Sequence, residues 1–372
     1  MLKILHTADI HLGAKFSGLG SKGASQREQL GATFKNVIAT AINERVNIVL
    51  IAGDLFDANQ QPQRNIDLVI EQFNLLNQNN IPVCLIPGTH DSLDSSSIYR
   101  KVDFEGRCSN LKIFADENIS CKEYPGLDLT VYGKPNLSNR SYISPLKGLK
   151  PSTSTKFHIA MAHGSFYIPE KIVEDDHVFR LEEVKASGMH YLALGHWHRV
   201  YSCSEKPPAW YSGPPEWIPD QREKGAVLLV SLSDSGEVKV DPKMLGLRDY
   251  DEVEIDMSVI QDLAKLKTRI SEGANQNLVR KATLKGLRDA ELIVNPEELA
   301  KLGEEFFYLK LDNQSHVKVE EISEATYERQ LIKAKFIKLM NEKIASSEGK
   351  EKEIAENALQ YGIALLDGKE VL

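Results

Sequence analysis

The sequence predicts a mixed α/β layered domain, and three observations carry that prediction. Five short apolar runs recur over the first 240 residues: 2–5 (LKIL), 48–52 (IVLIA), 82–86 (PVCLI), 158–162 (HIAMA) and 190–194 (HYLAL). Each is rich in apolar residues and bounded by Gly, Pro or charged side chains, as strands buried on both faces are. Between the first three lie stretches whose apolar residues return at the period of an α-helix. The resulting order, strand–helix–strand–helix–strand, calls for helices layered on a sheet.

The first helix is expected over Gln26–Arg45, where Leu30, Phe34, Val37, Ile38, Ala41 and Ile42 form one stripe. The second is expected over Pro62–Asn79, with Ile66, Val69, Ile70, Phe73 and Leu76 in similar register and Pro62 suited to a first helical turn. Residues 141–156, rich in Ser, Thr, Pro and Lys, read as a surface loop. The runs 226–231 and 237–240, joined by Asp234-Ser235-Gly236, read as a hairpin. From about 245 the chain becomes charge-rich, with strand-like DEVEID and FFYLKLD and helical stretches around 258–272 and 296–304. A small α+β domain is expected there, followed by helices over 320–346 and 349–366.

A chain of 372 residues suits two domains better than one core. No apolar window is long enough to cross a membrane. The apolar start breaks at His6 and Asp9, too early for a signal-peptide core. The four cysteines, Cys84, Cys108, Cys121 and Cys203, lack metal or disulfide-framework spacing, which points to a reducing, cytoplasmic setting. A net charge of −8 argues against a large non-specific nucleic-acid surface. It leaves open a nucleic-acid enzyme whose ions supply positive charge at the phosphate.

The chemistry lies where the strands end. LKIL is followed by Asp9 and His11, IVLIA by Gly53, Asp54 and Asp57, and PVCLI by Gly88, Thr89, His90 and Asp91. HIAMA is followed by His163 and YLAL by Gly195, His196 and His198. Sites in α/β sheets form just beyond the carboxyl ends of strands, so these five loops are expected to converge. Any one of them alone is more often a structural histidine or an ordinary Gly-Asp turn. Together they assemble imidazoles and carboxylates without a thiolate, a set that suits Mn²⁺, Fe or Zn²⁺. Two ions about 3.5–4 Å apart need a bridging ligand, and Asp54 is central in the order.

The series DxH, GDxxD, GxHD, HG and GHxH resembles the calcineurin-like metallophosphoesterase superfamily. The runs LHTADIHLG, GDLFD and GHWHR, with Tyr211–Glu216 and Lys224-Gly225, narrow the resemblance to SbcD-type nuclease subunits of DNA double-strand-break repair complexes. It is close over 1–231, looser over 245–316 and weak in the tail. It implies a layered β-sandwich core flanked by helices over 1–244, a small α+β capping domain over 245–318 and a helical C-terminal region over 319–372. It further implies a hydrolase, an exonuclease or endonuclease cutting phosphodiesters by a two-metal mechanism, with manganese as the expected ion.

By the same resemblance, Asp9, His11 and His198 hold the first ion, His163 and His196 the second, and Asp54 bridges. His90 acts beside the scissile phosphate, Asp91 orients it and Asp57 steadies its loop. The family pattern has Asn where this chain has Thr89, whose hydroxyl is a poorer neutral donor to the second ion. A weakly active scaffold, suggested by Thr89, and a small-substrate phosphodiesterase, whose families use the same five loops, are the alternative readings.

DNA is the implied substrate. Lys15, Lys22 and Arg27 in the loop after His11 either contact phosphates or form an ordinary solvated loop. Arg64 and Arg199, beside metal motifs, carry the same two readings. Tyr327, Leu331, Ala334, Ile337, Met340 and Ile344, with Phe336 and Leu339, form a helical stripe in the tail. It either packs on its own domain or docks on an SbcC-like SMC-family ATPase. Homodimers are common in the resembling family.

Overall fold

The computed structural model describes residues 1–173, 176–219, 221–289, 292, 294–317 and 327–366. The chain divides into two compact units, Met1–Tyr250 and Asp251–Leu372. Among the described residues no helix is long and apolar enough to cross a membrane.

The first unit begins β1 (Leu2–Thr7), α1 (Gly23–Asn43), β2 (Ile48–Ala52), α2 (Gln63–Gln78) and β3 (Val83–Ile86), the expected alternation. Single-turn helices α3 (Ile98–Lys101) and α4 (Phe104–Arg107) lead to β4 (Leu111–Ile113), β5 (Ser120–Tyr124), β6 (Leu129–Gly133) and β7 (Phe157–His163). Then come α5 (Leu181–Ala186), β8 (Tyr191–Gly195), β9 (Tyr201–Glu205), β10 (Pro208–Tyr211), β11 (Ala226–Leu232) and β12 (Val238–Met244). They build two six-stranded sheets, in the orders β12-β11-β1-β2-β3-β4 and β5-β6-β7-β8-β10-β9.

Of the parallel neighbours β1, β2 and β3, β2 and β3 are continuous apolar runs because both their faces are covered. One face joins the other sheet in a shared core: Ile4, Leu50 and Ile86 from one side, Val131, Ile159 and Ala193 from the other. The opposite face of the first sheet carries helices. On α1 the buried residues include Leu30, Phe34, Val37, Ile38 and Ala41, and on α2 Ile66, Val69, Ile70, Phe73 and Leu76. Phe34 and Phe73 meet edge to face at 6.2 Å and join the two helices. Pro62 stands one residue before α2, in extended backbone. The expected hairpin is β11 with β12, paired antiparallel. The loop over 141–156 is a loop, but Leu146 and Leu149 are drawn into a second apolar cluster with Phe179 and Tyr211.

A buried carboxylate ties this unit together. Glu216 accepts from Gln29 Nε2 and Thr33 Oγ1 on α1 and from the backbone amides of Trp217, Leu247 and Arg248. Five donors satisfy a charge with no access to solvent, as burial requires. The Tyr211–Glu216 segment read as a family motif is therefore a structural knot.

In the second unit, β13 (Asp249–Asp256), α6 (Leu263–Ser271), β14 (Leu278–Lys285), β15 (Leu287–Arg288), α7 (Pro296–Ala300), β16 (Tyr308–Asn313) and β17 (His316–Val317) precede α8 (Tyr327–Ala345) and α9 (Gly349–Leu366). A three-stranded sheet, β13-β14-β16, packs Ile255 and Leu284 against Leu266 and Ile270 of α6. The helix start at 320 and the boundary at 318/319 expected from sequence lie outside the described residues, as does the Tyr327 side chain. Much of the tail stripe turns onto α9: Phe336, Ile337, Met340 and Ile344 pack with Leu359 and Ile363.

Candidate metal centre

The strand-end loops converge. The loop after β1 runs beside the loop after β2: Asp9 N–H donates to the Gly53 carbonyl oxygen and His11 N–H to that of Asp54, both at 3.1 Å. Asp9, His11 and Asp54 take left-handed backbone, φ 55°, 51° and 51°, and His196 lies further out at 105°. Such conformations cost about 1–3 kcal/mol each and persist where surrounding contacts determine them. At Gly53, φ 93°, a Cβ would collide with the His163 ring. The small residue lets strands β2 and β7 bring their side chains together.

Asp54 is at the middle. Its Oδ2 lies 3.1 Å from His163 Nε2, 3.9 Å from His11 Nε2 and 3.2 Å from Thr89 Oγ1. Its Oδ1 accepts from the His90 backbone N–H at 2.8 Å. Thr89 Oγ1 is also 3.4 Å from His163 Nε2. Among the described residues three sets, Asp9–His11–His198, Asp9–Asp54–His163 and His11–Asp57–His90, each offer three ligand atoms within 4.8 Å of one another. His196 enters through its backbone, whose N–H donates to both Asp9 oxygens at 3.0 and 3.1 Å. Its Nε2 is turned onto Asp176, 3.1 Å from each carboxylate oxygen. Asp176 is not legible as a site residue in the sequence: it follows no apolar run and belongs to no strand-end motif.

The donors fit a divalent ion. His11 Nδ1 is held by Asp57 Oδ1 at 3.2 Å and His163 Nδ1 by the Ala52 carbonyl oxygen at 2.9 Å. Tying the outer ring nitrogen fixes the other toward an ion. His11 Nε2 is buried without a hydrogen-bond partner, which is costly for a polar atom unless something not a protein group meets it. Burial also holds the His198 imidazole down to about 3, hence neutral and able to ligate.

The carboxylates and His163 set the charge. Burial pushes the Asp9 carboxyl up to about 6, against the pull of His163. For Asp54 burial works in the same direction, yet His163 and His11 outweigh it and hold the carboxyl well below its ordinary range. Burial opposes a proton on His163, but Asp54 and Asp9 raise it to about 9. An ion must therefore displace a proton from His163 at neutral pH. Above a pH of about 6 Asp9 is ionised, and the protons that compete with an ion are those on His163 and on His11, which is raised because Asp57 and Asp54 outweigh burial. Ion affinity should therefore rise with pH from 7 to about 9. Calorimetry at pH 7.5 in buffers of different ionisation heat should show proton release; uptake of ions without it would contradict the assignment.

The hydrogen bonds of Asp91 go to groups other than His90. Asp91 points under the loop, where Oδ1 accepts from Gly88 N–H at 2.7 Å and Oδ2 from Phe56 N–H at 3.1 Å and Tyr99 Oη at 2.6 Å. The His90 ring is half exposed, and its Nδ1 donates to the Asp57 carbonyl oxygen at 3.1 Å. Asp57 thus serves two histidines. Lys15, Arg64 and Arg199 are exposed. Arg27 Nη1 donates to the Lys15 carbonyl oxygen at 2.7 Å. Arg27 and Arg64 line a hollow of about 680 Å³ with α1 and α2, which also holds Glu28, Asp67 and Glu71. Arg199 lies over the Trp197 and Tyr201 rings and lines a hollow of about 530 Å³ with His196 and His198.

Three relatives are similar to this chain in sequence. The uncharacterized metallophosphoesterase YhaO of Bacillus subtilis is 29% identical over 217 residues, 56% of this chain and 51% of that one. The DNA double-strand break repair protein Mre11 of Saccharolobus solfataricus is 28% identical over 209 residues, 55% of this chain and 51% of that one. Its namesake from Methanopyrus kandleri is 22% identical over 318 residues, 81% of this chain and 68% of that one. The chain thus spans about half the length of the first two. The calcineurin-like phosphoesterase family model matches residues 2–200, more than half of the sequence. By that match and the convergent loops, the chain belongs to the calcineurin-like phosphoesterases, metal-dependent enzymes that hydrolyse phosphate esters.

Proposed function

We propose that the chain is a manganese-dependent DNA nuclease with two ions, the nuclease subunit of an SbcCD-like repair complex. The carrying observation is the arrangement around Asp54: one carboxylate faces both His163 Nε2 and the unpartnered His11 Nε2. Asp9, His11 and His198 would hold one ion, His163, His196 and Thr89 the other, and Asp54 both. When bound, the two ions supply Lewis acidity toward the phosphate and the attacking water.

This chain's own residues orient and exchange protons around them. His90 Nδ1–H is fixed on the Asp57 carbonyl oxygen, so Nε2 is the nitrogen left to face the leaving oxygen, and it donates a proton there only as the imidazolium. Asp91 stiffens the loop that carries His90. Arg199, beside His196 and His198, is placed to meet a phosphate of a longer substrate. DNA as that substrate is supported by the two relatives named for double-strand break repair. Arg27 and Arg64 are weaker candidates, since acidic side chains share their hollow.

Cleavage of linear duplex and hairpin DNA with Mn²⁺, set against a simple phosphodiester, tests the reading. Hydrolysis of the simple diester alone would favour a small-substrate enzyme. No hydrolysis, with fewer than two ions per chain, would favour a scaffold. Thr89→Asn restores the family's carbonyl donor. It should tighten the second ion about tenfold and raise the rate at limiting Mn²⁺; an unchanged rate would mean that Thr89 does not limit the site.

The partner reading rests on the helical hairpin. Leu331, Ile332 and Leu339 of α8 and Ile354 and Leu365 of α9 are exposed apolar residues. We assign them to docking on an SbcC-like ATPase coiled coil, a helix-on-helix mode. Deleting 320–372 should abolish ATPase binding in a pull-down while sparing hydrolysis of a simple diester. A truncated chain that still binds the ATPase would remove this assignment. On the same resemblance we propose a homodimer. A cytoplasmic setting agrees with four cysteines that form no disulfide.

A further inference from the structure

We propose that Asp176 is the positioning residue for the second ion: it holds the proton of His196 on Nε2 and so presents Nδ1 as the ligating nitrogen. The proposal rests on the two-ion reading above.

Both Asp176 oxygens lie 3.1 Å from His196 Nε2. A carboxylate only accepts, so that ring nitrogen carries the hydrogen and the lone pair of the neutral ring is on Nδ1. His11 and His163 follow the same rule with the nitrogens exchanged. They have Nδ1 tied, to Asp57 and to the Ala52 carbonyl oxygen, and turn Nε2 toward Asp54. An imidazole whose outer N–H is held this way keeps one tautomer and one orientation, and is a more basic ligand.

Asp176 is itself fixed by groups outside the site. Ser165 Oγ donates to its Oδ2 and accepts from Trp197 Nε1, the latter at 3.1 Å. Ser165 N–H donates to the Asp176 carbonyl oxygen at 3.2 Å. The Trp197 ring stacks on Tyr211 with centroids 4.8 Å apart and planes 10° from parallel. A continuous line of contacts thus runs from the apolar core at Tyr211 through Trp197, Ser165 and Asp176 to His196. This line matters more here than with an Asn at position 89. The Thr89 hydroxyl is a weak donor, so the second ion leans on its two imidazoles. His163 is walled in completely, whereas the His196 side chain is 20% exposed and needs a partner to hold it.

Calorimetric titration of the metal-free full chain with Mn²⁺ tests the proposal. Wild type should show two binding events. Asp176→Ala should weaken the second about 10- to 100-fold and leave the first within about twofold. Asp176→Asn, whose amide oxygen can still accept from Nε2–H, should recover most of the loss. In a Zn²⁺-loaded chain with ¹⁵N-labelled histidine, His196 should be protonated at Nε2 in wild type and lose that single signature in Asp176→Ala.

Unchanged affinities would overturn the proposal. So would a tighter second event, because Asp176 would then be holding His196 away from the ion, and so would equal weakening of both events. Should Asp176→Ala not fold, Ser165→Ala keeps the carboxylate and removes its support. It should weaken the second event about threefold; no loss there would also overturn the proposal. A wild-type chain that takes up fewer than two ions would refute the two-ion reading itself, whatever Asp176 does.

Discussion

Asp54→Ala should empty both ion positions and lower phosphodiester turnover about a thousandfold or more. Asp54 meets His163 Nε2, His11 Nε2 and Thr89 Oγ1 with one oxygen and the His90 amide with the other. Its loss also leaves the charge on His163 buried without its nearest counter-charge, a change that costs about 3–5 kcal/mol in comparable cases. Relief of the repulsion between Asp9 and Asp54 offsets part of that. Asp54→Asn separates the two effects, since it keeps the shape and the amide contact while removing the charge. Elemental analysis after Mn²⁺ loading and a turnover assay decide the matter. A variant with full ion content and normal cleavage would refute the central assignment.

His90→Ala should leave ion content intact and still cost about 10²- to 10⁴-fold in turnover. The two outcomes separate because of where the ring stands. Its centroid is 4.7 Å from that of His11, edge to face, yet it is half exposed. Its Nδ1 is bonded to a backbone carbonyl oxygen, not to an ion-facing carboxylate. Truncation opens no cavity in the core, so stability should shift within about 0.5 kcal/mol. Loss of ions with the ring would make His90 a ligand instead of a proton donor.

The parts of this site written in single strand-end loops are legible in the amino-acid sequence. Asp9, His11, Asp54, His163 and His198 each end or follow an apolar run, and the parallel strands of each of the two sheets bring such ends to one edge. Strands β5 and β9 are not legible because they are edges: SCKEY and YSCSE alternate or mix polar residues and bury little. The position of Asp91 can be read along the chain but its role cannot, since adjacency to His90 says nothing about which way a side chain points. Its oxygens go inward, to Gly88, Phe56 and Tyr99. Asp176 is hidden for a related reason. Its partner His196 is twenty residues away, and only the fold brings them together. The stripe on α8 is visible as a stripe, but nothing in its spacing says that α9 covers part of it.

The left-handed backbone at Asp9, His11 and Asp54 also constrains how this centre could decay over evolutionary time. Asparagine, aspartate, histidine and glycine tolerate that conformation, whereas branched aliphatic residues resist it. A lineage freed from selection for hydrolysis would therefore drift first to Asn or Gly at these three positions and keep its fold. Isoleucine or valine would arise there only after the loops themselves had been rebuilt. A descendant with Asn at all three would thus be a retired enzyme with an intact scaffold, recognisable from those substitutions alone.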